Sequence, residues 1–227
     1  MLTGKDKMNI NFLKKYSLWI ATICINAFGN FLMIKSLMGS GPWIAVGQGI
    51  SRATGLQVGI CTIIVNVLVY IPIMIISRKI DLVRLIGSFF VAYVFGRVLD
   101  FYVIHLWWIQ SDQLIYRILI FLAGDLILTA GISMYMRLNI ALNPFDQFLL
   151  TVHQYLVPDL RKANLIYQGV PLFIAILLGI YNGFYFRGVG VGTVFMFLFN
   201  GFFIKFYHRA IPIPDHVLNP RGYIEKE

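Results

Sequence analysis

No charged residue lies between Arg52 and Arg78, and more than half of the positions in that gap are Val, Ile, Leu or Tyr. A helix needs about 20 apolar residues to cross a hydrocarbon core roughly 30 Å thick. Lipid offers a backbone no hydrogen bonds, so a run of this kind must satisfy its own amides, which a helix does and an open strand or loop does not. Comparable runs place helices at about 17–38, 56–77, 83–106, 116–138, 162–182 and 188–207. The 227 residues are 59% hydrophobic and 13% charged, whereas a soluble domain carries roughly 25% charged residues. The chain therefore reads as a single all-α membrane domain with six transmembrane helices and no soluble domain beside it.

Two halves of the chain resemble each other at an offset of about 102 to 105 residues. Gly29, Pro42, Trp43 and Asn66 are answered by Gly131, Pro144, Phe145 and Gln168. Gly87, Phe90, Gly96, Phe101 and Tyr102 are answered by Gly192, Phe195, Gly201, Phe206 and Tyr207. The division is an N-terminal segment 1–16, a first three-helix repeat 17–107, a second repeat 115–207 and a C-terminal tail 208–227. An odd number of spans per repeat turns the second copy upside down. Inverted repeats of this kind mark alternating-access carriers, with a site near the midplane between the halves.

Charge sets the expected orientation. With the N-terminus inside, Lys5, Lys7, Lys14, Lys15, Arg78, Lys79, Arg84, Arg137, Arg161, Lys162, Lys205, Arg209, Arg221 and Lys226 face the cytoplasm, fourteen of the 19 basic residues. Lys35, Arg52, Arg117 and Arg187 face outward, and Arg97 falls within the third span. The bias predicts both termini in the cytoplasm. It also accounts for the net charge of +9 as contact with anionic lipid rather than with nucleic acid. Cys24 and Cys61 lie inside apolar runs without metal-site spacing and read as small buried hydrophobes. Lys14-Lys15 precedes an apolar run with no small-residue cleavage site, which predicts a retained first helix.

Residues 39–55 and 143–157 are too apolar for exposed loops and too short to span. Each opens on a proline suited to the first helical position, so two short helices are expected, interfacial or re-entrant, one per face. As re-entrant elements they would line a cavity, because irregular backbone at depth is tolerated there. Pro42, Trp43, Gln48, Asn66, Pro144, Phe145, Asp146 and Gln168 are the expected cavity residues. Asp146, in the first turn of its helix, also complements the helix dipole. Arg97, Asp100 and Asp125 fall at similar depth, and intramembrane charges are costly unless paired. A cluster joining Arg97 to Asp125 or Asp100, facing the bundle interior, is expected, as a structural clip or as a proton site.

Gly-Ser-Gly-Pro-Trp at 39–43, Gln48-Gly49, Thr54-Gly55 and Gly-Val-Gly-Val-Gly-Thr at 188–193 resemble signatures of the YczE/YyaS/YitT group of bacterial integral membrane proteins, over roughly residues 20–208. The resemblance implies a bacterial inner-membrane protein, with transport the usual assignment. The chain departs from the pattern in carrying Ile44 where the group tends to have an acid after Pro-Trp, and Phe145 where it tends to have a basic residue before Asp146. An acid expected early in the fifth helix is replaced around Tyr167-Gln168.

No His pair, Ser or Asp pair or phosphate loop appears in a catalytic setting. Gly188, Gly190 and Gly192 lack the Lys-Ser/Thr of a nucleotide loop. His105, His153 and His208 have no second ligand at metal spacing. The expectation is a non-enzyme without metal or cofactor: a small-molecule secondary transporter of unknown solute. The alternatives are a substrate-capture subunit of a larger importer and an accessory membrane scaffold. The bilayer and a small solute are the expected partners, with a second copy or a partner membrane subunit possible and nucleic acid excluded.

Overall fold

The computed structural model describes residues 4–78, 82–138, 140–183, 186 and 188–218. In chain order the helices are α1 (Gly4–Ser36), α2 (Pro42–Thr54), α3 (Val58–Ser77), α4 (Leu82–His105), α5 (Leu114–Leu138), α6 (Pro144–Tyr155), α7 (Leu160–Tyr181), α8 (Val191–Ala210) and α9 (Asp215–Leu218). Six of them hold stretches long and apolar enough to cross a membrane: Asn9–Ser36, Val58–Ser77, Leu85–His105, Leu114–Leu138, Lys162–Tyr181 and Val191–Ala210. These fall where the hydrophobic runs predict, and they make the chain a multi-pass membrane protein. The two Pro-initiated segments are the short helices α2 and α6, each with its proline in the first turn.

α1 and α5 form the central pair, and glycine is what lets them meet. A Cβ on Gly29 would lie 2.6 Å from the Leu128 amide nitrogen and 2.7 Å from the Gly124 carbonyl, closer than any side chain permits. Gly131 faces the Asn26 amide nitrogen at 3.1 Å and the Thr22 carbonyl at 3.3 Å. Numbers rise along α1 as they fall along α5, so the two run antiparallel. Adding 102 to Gly29, Asn26 and Thr22 gives Gly131, Leu128 and Gly124, so the two contacts are one contact seen from either side.

Around this pair, α4 packs on α1 and α8 on α5, while α2 lies against α3 and α7 and α6 against α7 and α3. One apolar core joins α1, α4 and α5 through Trp19, Ile23, Phe31, Phe95 and Tyr135. A second joins the short helices to α3 and α7 through Trp43, Val65, Val69, Phe145, Phe148 and Ala175. Without a hydrophobic force between helices in lipid, close packing of this kind is what holds the bundle together.

The halves differ in how their last helices dock. A Cβ on Gly96 of α4 would meet the Gly59 carbonyl at 2.7 Å, and one on Gly59 would meet the Gly96 carbonyl at 2.0 Å. Asp100 then accepts a hydrogen bond from the Gly59 N–H at 2.7 Å, a carboxylate on the first turn of α3 where the dipole favours it. The corresponding Gly201 has nothing within 4 Å of its Cβ position. α8 instead holds α5 at its far end, where the Ser133 hydroxyl and His208 Nδ1 lie 2.9 Å apart and Arg137 donates to the Ile211 carbonyl at 2.6 Å.

Both ends of the chain carry structure beyond the spans. The first helix starts at Gly4, inside the segment expected to precede the membrane. Residues 211–218 fold back beneath the bundle: Val217 is buried and Lys15 Nζ donates to the Leu218 carbonyl at 2.7 Å. The two ends thus meet on one side, as an even number of spans requires. Lys79, Arg187, Arg221 and Lys226 lie outside the described residues, as do the other residues, 80 and 81, at the centre of the basic loop Arg78–Arg84.

Candidate solute cavity between the short helices

The N-terminal halves of α2 and α6 enter the bundle and meet there. Pro42 to Gly47 are buried without interruption, as are Pro144, Phe145 and Phe148. Trp43 and Phe145, each the second residue of its short helix, stack with ring centroids 4.6 Å apart and planes 11° apart. Phe148 adds an edge contact and Tyr167 a tilted one to Trp43. Residues 102 apart in sequence thus touch each other directly.

A cavity of about 70 Å³ opens beside this stack, room for roughly five waters. Its lining is paired by the same offset: Asn26 with Leu128, Asn30 with Ile132, Gly41 with Asn143, Pro42 with Pro144, Trp43 with Phe145 and Ile44 with Asp146, Pro144 being buried just behind the wall. In most pairs one member is polar and its counterpart apolar. Tyr167, Gln168 and Asn200 complete the polar side and Phe95 and Met196 the apolar side.

The short helices present different termini to this space. Asn143 caps α6, its side chain accepting from the Phe145 N–H at 3.1 Å, and Asp146 occupies the first turn. Gly41 gives α2 no side-chain cap, and its first turn holds no acid. The first N–H groups of α2 therefore lack both an intrahelical acceptor and a capping side chain. Asp146 is the one charged residue among those lining the cavity. Its carboxyl touches the cavity but is otherwise enclosed by protein, and burial pushes it up to about 7.

Gln168, 3% exposed, donates its amide N–H to Asn164 Oδ1 at 3.3 Å, which leaves its buried Oε1 without a partner among the described residues. Asn200 Oδ1 is likewise unpartnered. The Trp43 indole nitrogen lies near the Tyr167 hydroxyl but makes no hydrogen bond of good geometry. Buried polar atoms are nearly always bonded, so the grouping of these three around one cavity is unusual.

Of the eight cavity residues expected from sequence, Trp43, Pro42, Phe145, Asp146 and Gln168 line the space and Pro144 supports it. Gln48 does not: it donates to the Ser40 hydroxyl at 2.8 Å and faces a smaller space beside Gly49, Gly179 and Gly188. Asn66 does not either. It is wholly buried in α3 and donates to the Thr62 carbonyl at 2.9 Å.

Of the expected charge cluster, Arg97 is exposed on α4 and among the described residues makes no direct ion pair with Asp100 or Asp125, although its charge still acts on the Asp100 carboxylate. Depth along two helices fixes height but not azimuth, and Asp100, three residues on, turns inward to Gly59. Asp125 is 1% exposed with neither carboxylate oxygen bonded to a described residue. The glycine-rich run 188–193 also resolves: the Gly192 N–H donates to the Met38 carbonyl at 2.8 Å and the Ser40 N–H to the Gly188 carbonyl at 3.0 Å. It is a backbone splice fixing the entry to α2. Sequence reading missed Asn26, Asn30 and Asn200, which a search for amides on the inward stripe of apolar helices finds.

A family model described as a family of unknown function, DUF6198, matches residues 13–209. The chain is 26% identical over 219 residues to the "Uncharacterized protein YyaS" of Bacillus subtilis (strain 168), covering 92% of this chain and 100% of that one. No solved structure matches. The match over residues 13–209 covers both short helices and nearly all of the six spans, and the chain belongs to the DUF6198 family.

Proposed function

We propose that the protein is a small-solute carrier of the cell membrane, built from two inverted repeats and using the cavity between α2 and α6 as its site. The observation that carries this reading is the Trp43–Phe145 stack. Residues 102 apart in sequence meet face to face, and the cavity beside them is lined by further pairs at the same offset. Half-helix termini converging on a cavity between repeats is the arrangement from which alternating access operates, one half rocking against the other. In this reading both termini are cytoplasmic, α2 gates the outer face and α6 the inner one, and no bond is made or broken. Purified protein in liposomes, tested for uptake of small solutes down a gradient, is the direct test. Saturable uptake supports the reading, and its absence with every class of small polar solute overturns it.

A substrate-capture subunit is the second reading, and one observation favours it. The span Val191–Ala210 is the barest of the six, and its Gly201 faces open space where the corresponding Gly96 is packed. Stable co-purification with an ATPase, together with no flux by the isolated protein, selects this reading over the carrier.

A further inference from the structure

The asymmetry between the two short helices bears on what the cavity takes. We infer that its ligand is a small zwitterion, with an ammonium group held at the α6 end by Asp146 and Gln168 Oε1 and a carboxylate held at the bare N-terminus of α2. The inference deepens the carrier reading and rests on it.

The argument begins with charge. Each helix N-terminus carries the equivalent of roughly half a positive charge, and both α2 and α6 aim theirs at the cavity, since their cap residues and first-turn residues line it. At α6 the carboxylate of Asp146, once ionised, outweighs that half charge, an ammonium beside it favours the ionised form, and Asn143 already occupies one of the free N–H groups. That end attracts a cation. At α2 the equivalent positions are Gly41 and Ile44, so nothing offsets the dipole and the N–H groups stay open. That end attracts an anion. With Asp146 ionised the two ends together come to about zero net charge, which disfavours any solute with a net charge.

Hydrogen-bonding capacity agrees. Gln168 Oε1 and Asn200 Oδ1 are buried acceptors without a donor among the described residues, and an ammonium group is all donors. Cap and first-turn residues of both short helices line this one cavity beside the Trp43–Phe145 stack, so a molecule held there lies next to both termini. A cavity of about 70 Å³ limits that molecule to a few heavy atoms, and the rings of Trp43, Phe145 and Tyr167 wall the space around its carbon skeleton.

The test is calorimetric titration of the full chain in detergent with four probes of matched heavy-atom count: glycine, propionate, isobutylammonium and propionamide. Glycine is expected to bind at least tenfold more tightly than each of the others. Equal or tighter binding of propionate, isobutylammonium or propionamide overturns the inference, as does no binding of glycine. Two variants give opposite shifts in the account. Asp146→Asn is expected to weaken glycine at least tenfold while sparing propionate, and Ile44→Asp to weaken glycine while admitting isobutylammonium. A purely structural role for these positions would weaken all probes alike, which also counts against the site. Because binding is read without flux, glycine binding with no uptake sinks the carrier and keeps the zwitterion site. Saturable uptake of an uncharged solute with no glycine binding does the reverse.

Discussion

Asp146 is the residue whose chemistry is most exposed to measurement. Its carboxyl is raised to about 7 by burial, so between about pH 4, the ordinary carboxylate range, and pH 7 the folded protein holds a proton that the unfolded chain releases. Stability from this group is therefore greatest at low pH and falls as pH rises to about 7, then levels. Melting curves in detergent should show wild type losing stability over this interval relative to Asp146→Asn. Parallel pH profiles for the two proteins would contradict the assignment. Asp100 makes a different prediction. Its bond to the Gly59 N–H is a cap supplied from a neighbouring helix, and loss of a cap costs about 1–2 kcal/mol. Asp100→Ala should lower the melting temperature, whereas Asp100→Asn, which keeps an acceptor oxygen, should restore most of it. Equal losses would show that charge rather than capping matters at that site.

At the scale of helices, legibility followed the strength of the local signal. All six spans were readable because a charge-free apolar run has one way to satisfy its backbone in lipid. The short helices were readable from Pro42 and Pro144, residues that start helices in segments too short to cross. What the sequence hid was azimuth. Arg97 and Asp100 share a helix and a depth, yet one faces out and the other caps α3, because the close approach of Gly59 and Gly96 fixes which stripe of α4 turns inward. The cavity was legible by half: Trp43, Phe145 and Asp146 announced themselves, while Asn26 and Asn30 looked like ordinary polar interruptions of a span. The same geometry separates two glycines that correspond in the repeat. Gly96→Ala should cost about 1–3 kcal/mol by forcing α3 and α4 apart. Gly201→Ala, with open space around it, should be neutral or gain up to about 1 kcal/mol of helix propensity. Thermal melts of the two variants compare them directly, and equal effects would mean that the last helices of the two halves dock alike.

The whole molecule is organised around one antiparallel contact, α1 on α5, repeated at its centre by the Gly29 and Gly131 approaches and continued inward by the stacked rings of Trp43 and Phe145. In the proposed carrier reading the two halves rock about this crossing point. The cavity sits beside that pivot, with Ile132 on its wall, so it should open to each side in turn. Replacing Cys24 and Cys61 by alanine and introducing Ile132→Cys leaves one thiol in the cavity for a membrane-impermeant maleimide. In sealed vesicles the account predicts labelling from the outside and, separately, from the inside, with saturating glycine changing the ratio of the two rates. Labelling from one side alone, at a ratio that no solute shifts, would contradict alternating access at this site.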